Sequence, residues 1–178
     1  ARLAWVPRRA GDRAAIEAGL LPGLAPFGRT IDEAGAADLG WGELPARGLD
    51  AEQMIEAAAA GELKALVVGG VDVRDFDDPG AVRAALDEVP FLVSLEVRAS
   101  EITDRADVVL PVAPAVEKNG TFINWEGRLR PFGQARSATS LTDRDVLVRL
   151  TEEFDGDLGI TALADLYAEV NPLMEWDG

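Results

Sequence analysis

The chain has no cysteine and no histidine. That excludes thiolate and imidazole metal ligation, a cysteine nucleophile, and any catalytic triad with histidine as its base. Carboxylates are the remaining metal ligands, and they favour hard cations. Positive charge is scarce: 17 Lys and Arg against 32 Asp and Glu leave a formal net charge of −15. A surface so acidic repels phosphate backbones, which makes nucleic acid and anionic membrane surfaces poor partners. Long apolar runs are missing too. A membrane-spanning helix needs about 20 apolar residues, whereas the longest clean runs here are no longer than stretches such as residues 65–68, so no direct membrane insertion is expected. The N-terminus lacks a charged-then-apolar signal pattern and opens on Ala1. The expectation is therefore a piece of a longer polypeptide. With 178 residues, 48% of them apolar, the chain can still bury a core without disulfides or metals.

Residues 2–6 read as a short strand ended by Pro7. From 8 to 48, glycine and proline recur too densely for a long element, which leaves one short helix near residues 12–18 and a segment packing on the core. From Asp50 the pattern sharpens. Asp50 can cap a helix that places Ala51, Met54, Ile55 and Ala58 on one face, with Gly61 ending it. Residues 65–68 form a wholly apolar strand of the kind buried on both faces of a parallel sheet. Asp78-Pro79 is a cap and first-turn proline, and Val82, Ala85, Leu86 and Val89 make the helical stripe that follows. Residues 91–95 are the second strand, 100–106 one or two helical turns, and 107–110 the third strand. Two glycine turns, Asn119-Gly120 and Glu126-Gly127, then define a hairpin in which Phe122 and Leu129 could share a face. Val146, Leu147, Leu150 and Phe154, and later Leu163, Leu166, Tyr167 and Val170, have helical spacing, and Pro172 closes the last helix. The fold class is α/β: a short, mainly parallel, Rossmann-like sheet flanked by helices, with a β-hairpin after the last strand. The expected division is 1–48 packing on the core, 49–142 the α/β core with hairpin, and 143–178 C-terminal helices.

Several groups invite a functional reading. Gly69-Gly70-Val71-Asp72 sits where a parallel strand ends, the usual place for a ligand in open α/β sheets. It matches neither G-x-G-x-x-G nor a P-loop, and a plain tight turn accounts for it as well. Asp72, Asp75, Asp77 and Asp78 lack the calcium-loop pattern and read as a solvated loop with Asp78 as cap. Glu117 and Glu126 could be an acid/base pair, but surface hairpin charges pairing with Lys118, Arg128 or Arg130 are favoured. Trp5, Trp41, Trp125 and Trp176 fall outside the clear helices and read as loop packing or as partner anchors.

The stretch "ADVVLPVAPAVEKNGTFINWEGRLRPF" resembles the closing motif of the molybdopterin oxidoreductase family, a strand A-D-V-V-L-P followed by E-K-x-G-T-F-x-N-x-E-G-R. The matching positions are 106–111 with Glu117, Lys118, Gly120, Thr121, Phe122, Asn124, Glu126, Gly127 and Arg128. Thr103-Asp104-Arg105 resembles the family's short helix before that strand, and residues 65–68 with Gly69 its earlier nucleotide-side strand. "RLAWVPRRAGDRAAIEAGLLPG" is similar to the C-terminal half of the large iron–sulfur subunit of NADH–quinone oxidoreductase (respiratory complex I).

The resemblance implies a parent enzyme that passes electrons from NADH through iron–sulfur clusters to quinone. It implies a peripheral arm on the cytoplasmic side of the bacterial plasma membrane, partnered by the rest of its own subunit and by other subunits of the complex. Cluster ligands in such parents are mostly cysteines, so no cluster is expected in this stretch. In active molybdenum enzymes the loop matching Gly69, Gly70 and Asp72 resembles G-x-N/D-P and helps hold a guanine dinucleotide. Val73 stands in place of the proline, so molybdopterin is not expected and the loop reads as vestigial. The expected role is structural and non-catalytic, with the motif glycines supplying unusual backbone conformations and the motif charges satisfying one another or the loop backbone. The alternatives are the C-terminal part of an active, formate dehydrogenase-like molybdopterin oxidoreductase, or a stand-alone acidic interaction module. An exposed sheet edge would favour homodimers of the isolated chain.

Overall fold

The computed structural model describes residues 6–30, 47–124 and 126–174. Two compact units divide the chain, one of residues 1–50, 120–132 and 159–178, the other of 51–119 and 133–158. The four tryptophans and all of the expected first strand except Val6 lie outside the described residues; Val6 itself is in no strand.

The elements in chain order begin with α1 (Asp12–Glu17), the two-residue pair β1 (Leu24–Ala25) and β2 (Arg29–Thr30), and α2 (Ala51–Ala59). Next come β3 (Leu66–Gly69), α3 (Pro79–Asp87), β4 (Leu92–Glu96) and β5 (Val108–Pro111). The hairpin strands β6 (Gly120–Ile123) and β7 (Leu129–Phe132) precede α4 (Asp143–Glu153) and α5 (Leu163–Val170).

The second unit holds the parallel sheet, in the order β3-β4-β5. Leu66 pairs with Leu92, and Val93 with both Val67 and Val108. The expected α/β class is borne out. The stripe read from the sequence on α3 is the core: Val82, Ala85, Leu86 and Val89 are buried with Leu92, Ala58 and Ile102. Asp78 caps that helix, its Oδ1 accepting from Gly80 N at 2.9 Å and Ala81 N at 3.0 Å ahead of the first-turn proline. Asp107 ties β4 to β5 at their start by accepting from Leu92 N at 2.7 Å. Residues 100–106 make turns rather than a regular helix, although Asp104 N and Ala106 N still donate four residues back, at 3.1 and 3.0 Å.

Two expectations are corrected. β3 is not buried on both faces: it pairs on one side only among the described residues, and Val67 is 51% exposed. Of the apolar stripe on α4, only Val146 is buried, while Phe154 is 78% exposed. Helical spacing marks an apolar face but does not supply the surface that covers it.

The other unit holds α1, the β1–β2 pair, the hairpin and α5. Gly19, at φ +84°, closes α1; a Cβ there would stand 2.8 Å from the Ala25 carbonyl carbon, so the chain reverses against its own backbone. The N-terminus of α5 is held by Asp165, which accepts from Ala162 N at 2.7 Å and from the Thr161 N–H and hydroxyl at 2.8 Å.

Candidate functional site

The loop after β3 turns on Gly70, at φ +62°, where a Cβ would meet no other atom within 4 Å. The glycine is there for its left-handed backbone, not for close approach. Asp72 caps the following 3-10 turn by accepting from Arg74 N at 3.0 Å. The Arg74 side chain folds back onto the same carboxylate, Nε to Oδ1 at 2.9 Å and Nη2 to Oδ2 at 2.7 Å. That hydrogen bond, with the Asp72 charge, raises the Arg74 pKa above the usual guanidinium range. The fork is bidentate and occupies both carboxylate oxygens. Asp78 is the cap described above, and no group of three or more potential metal ligands forms among the described residues.

Glu117 ends a short 3-10 turn, residues 115–117, its N–H donating to Pro114 O at 2.9 Å, and Lys118 and Asn119 follow it. Each residue then holds a different point of the segment that returns toward α4. Val116 O accepts from Ala135 N and Arg136 N, both at 3.0 Å. Glu117 Oε2 accepts from the Thr139 N–H and hydroxyl, both at 3.0 Å. Lys118 Nζ pairs with Asp143, the first residue of α4. Asn119 Oδ1 accepts from Gln134 N at 2.8 Å. One strand-like bridge completes the clamp, with Ala113 N donating to Leu141 O at 2.8 Å beside the Val112–Leu141 pair.

Glu117 is therefore not a surface charge, as the sequence suggested, but a carboxylate only 7% exposed. The Thr139 N–H, then the Thr139 hydroxyl, lower its pKa from the ordinary 4.5; burial opposes them and the Arg136 charge assists. Because the folded value lies below the unfolded one, this stabilisation is complete above the ordinary value and drains away as pH falls through the lowered one. Glu117→Gln should thus destabilise the sheet-bearing unit at neutral pH, with the gap from wild type closing as pH falls below the ordinary carboxylate range and through the lowered value. Urea titrations across that pH range check this; a gap that stays constant refutes it.

The hairpin carries the rest of the motif and belongs to the other unit, so Glu117 and Glu126 lie in different units. Asn124 organises its tip. Its Oδ1 accepts from Glu126 N at 3.0 Å and Arg128 N at 2.9 Å, mimicking a backbone turn. Gly127 N donates to Asn124 O at 2.9 Å, and Gly127 adopts φ +80°, as expected for a motif glycine. Glu126 pairs with Arg128 at 3.7 Å, both largely exposed, a weak contact. Thr121 Oγ1 lies 2.7 Å from Tyr167 Oη, joining the hairpin to α5.

Register corrects one expectation. Phe122 lies opposite Arg130 and Ile123 opposite Leu129, so Phe122 and Leu129 point to opposite faces. Phe122 instead stacks on Phe132, with ring centroids 4.6 Å apart. Gly120 is corrected as well. Its role is not a special backbone angle: a Cβ there would stand 2.6 Å from Phe132 Cζ, so the ring occupies the space a side chain would need.

Sequence reasoning missed the partners Thr139, Asp143, Gln134, Phe132 and Tyr167. Phe132 had a local signal in the hairpin register; the others lie 15 to 46 residues from the groups they bind.

The family model for molybdopterin oxidoreductase matches residues 14–143, from α1 through both halves of this motif. The chain belongs to the molybdopterin oxidoreductase family. The NADH-quinone oxidoreductase G subunit of Streptomyces coelicolor is 51% identical over 190 residues, taking in 100% of this chain and 22% of the relative. The corresponding G subunit of Mycobacterium tuberculosis is 49% identical over 188 residues, 100% of this chain and 23% of the relative. The alpha subunit of the NADPH-Fe(3+) oxidoreductase of Geobacter sulfurreducens is 34% identical over 158 residues, 86% of this chain and 18% of the relative. The chain thus spans about a fifth of the length of these curated relatives.

The family name implies a pterin cofactor, and the strand-end loop tests the fit of its guanine end. A carboxylate that reads a base must turn acceptor oxygens toward it. Here both Asp72 oxygens face Arg74, and Val73, where the family pattern has proline, is buried. These residues do not fit that contact. Iron–sulfur ligation does not fit either, because no cysteine is present.

Proposed function

We propose that this chain is a structural, non-catalytic part of the large iron–sulfur subunit of an NADH–quinone oxidoreductase. One observation carries the reading: Glu117, Lys118, Asn119 and Asn124 each spend their side chain on this chain's own backbone or side chains. The family's polar motif works here as a clamp and a hairpin tip. The end-to-end similarity to the Streptomyces and Mycobacterium relatives supports the parent assignment. In that reading the parent moves electrons from NADH through iron–sulfur clusters held elsewhere, toward quinone. The partners are the remainder of the subunit and its neighbours in the complex, in a peripheral arm on the cytoplasmic face of the plasma membrane. Among the described residues no helix is long and apolar enough to cross a membrane.

The test uses the whole complex. Lys118→Ala and Glu117→Gln are placed in the full-length subunit, and NADH–quinone turnover is divided by the amount of assembled complex, counted on native gels. A structural role predicts less assembled complex at unchanged turnover per complex. Fully assembled complex with turnover cut tenfold or more would overturn the proposal.

A further inference from the structure

Parallel sheets occur almost only with both faces covered, because their strands are apolar throughout, and an uncovered edge strand offers its row of outward backbone groups as a template for a further strand. Here α2 and α3 cover one face. Ala58, Val82 and Leu86 pack there with Leu66, Val68 and Leu92. On the opposite face, Leu95 and Leu110 meet Val112 and Val146 near the strand ends. Toward the other end of that face Val93 is still partly buried against this cluster, but its cross-strand neighbours are left uncovered among the described residues. Val67, Val93 and Val108 form one cross-strand row, with Val67 51% and Val108 36% exposed. The row runs out to β3, whose outer edge has no strand beside it among the described residues. Leu66 N donates to Phe91 O and Gly70 N to Leu95 O, so the alternate residues Val67 and Gly69 aim their backbone groups outward. The edge is short, four residues, but β3 reads Leu-Val-Val-Gly, with no charge, proline or bulge inside it.

We infer that the β3 edge and the Val67–Val93–Val108 row seat a further strand and helix of the same subunit, from the part outside residues 1–178. The lengths argue for this occupant. Relatives that match the chain from end to end are more than four times as long, and the match takes in only 22% of the Streptomyces coelicolor subunit. An in-register strand would pair Val67 and Gly69, and the helix following or preceding it would cover Val67 and Val108. This rests on the reading of the chain as part of that large subunit.

Hydrogen exchange by mass spectrometry on the 178-residue chain and on the full-length subunit reads the edge directly. The Val67 and Gly69 amides should exchange freely in the chain alone and at least about 100-fold more slowly in the subunit. Val67→Lys supplies a second readout: it should leave the melting temperature of the chain alone unchanged and lower the yield of assembled subunit at least tenfold. Equal, fast exchange in both forms overturns the inference. So does protection in the chain alone, which would mean that the chain covers its own edge or, where protection rises with concentration, that a second copy does. The large-subunit reading fails separately if purified NADH–quinone oxidoreductase contains no peptides from residues 1–178.

Discussion

Leu92→Ala is expected to destabilise the sheet-bearing unit by about 2–5 kcal/mol, the range for leucine truncations in packed cores. Leu92 is 1% exposed on the central strand of the three-stranded sheet. It packs against the α3 stripe and Ile102. Its backbone is also bonded at both ends, N–H to Asp107 Oδ2 and carbonyl to Asp107 N. The strand therefore cannot shift to fill the cavity, which places the loss in the upper part of that range. Urea denaturation followed by far-ultraviolet circular dichroism measures it. A loss under about 1 kcal/mol would mean that the core collapses around the site or that this packing is wrong.

Gly120→Val is expected to destabilise the hairpin by about 1–3 kcal/mol, the usual cost of overpacking. Propensity alone says the opposite, since valine favours strands by up to about 1 kcal/mol over glycine. The two effects differ in sign, so the measurement discriminates between them. Overpacking should win because a Cβ at residue 120 falls 2.6 Å from Phe132 Cζ, inside any permissible contact. Moving that ring also disturbs its stack on Phe122, and aromatic pairs of this kind contribute about 0.5–1.5 kcal/mol beyond burial. Hydrogen exchange of the hairpin amides reports the change locally. In a Phe132→Ala background the penalty should vanish and the propensity gain appear. Stabilisation by Gly120→Val in the wild-type background would refute the contact.

Gly120 bears on what the family's motif does in this chain. Gly120, Asn124 and Gly127 shape a hairpin; Glu117, Lys118 and Asn119 fasten the segment between the hairpin and α4. Polar residues this specific in a cofactor-binding family invite a catalytic reading. Here their hydrogen bonds close within the chain's own fold, and Asp72 at the strand end is held by Arg74.

Much of the fold was legible because its signals are local. The stripe Val82, Ala85, Leu86, Val89 spans two helical turns, and Asp78-Pro79 announces the start of its helix. The three strands of the parallel sheet were legible as apolar runs bounded by glycine or proline, whereas the two-residue pair β1–β2 carried no such signal. Gly127 was legible because a positive φ follows from turn chemistry alone. The hairpin register was harder. The loop of residues 124–128 decides which side chains face one another, and a one-residue difference in its length reverses every pairing, which is how Phe122 came to be matched with Leu129.

The amino-acid sequence by itself determined the α/β class, the family motif, the acidic surface and the absence of thiol and imidazole chemistry, since each of these is a property of composition or short-range order. The tertiary structure alone decided that Glu117 is buried on Thr139, 22 residues away, that Lys118 meets Asp143, 25 residues away, and that Phe132 fills the space above Gly120. Periodicity reports which face of an element is apolar, but what covers that face, and whether a carboxylate near it keeps its water, depends on segments brought together only when the chain folds.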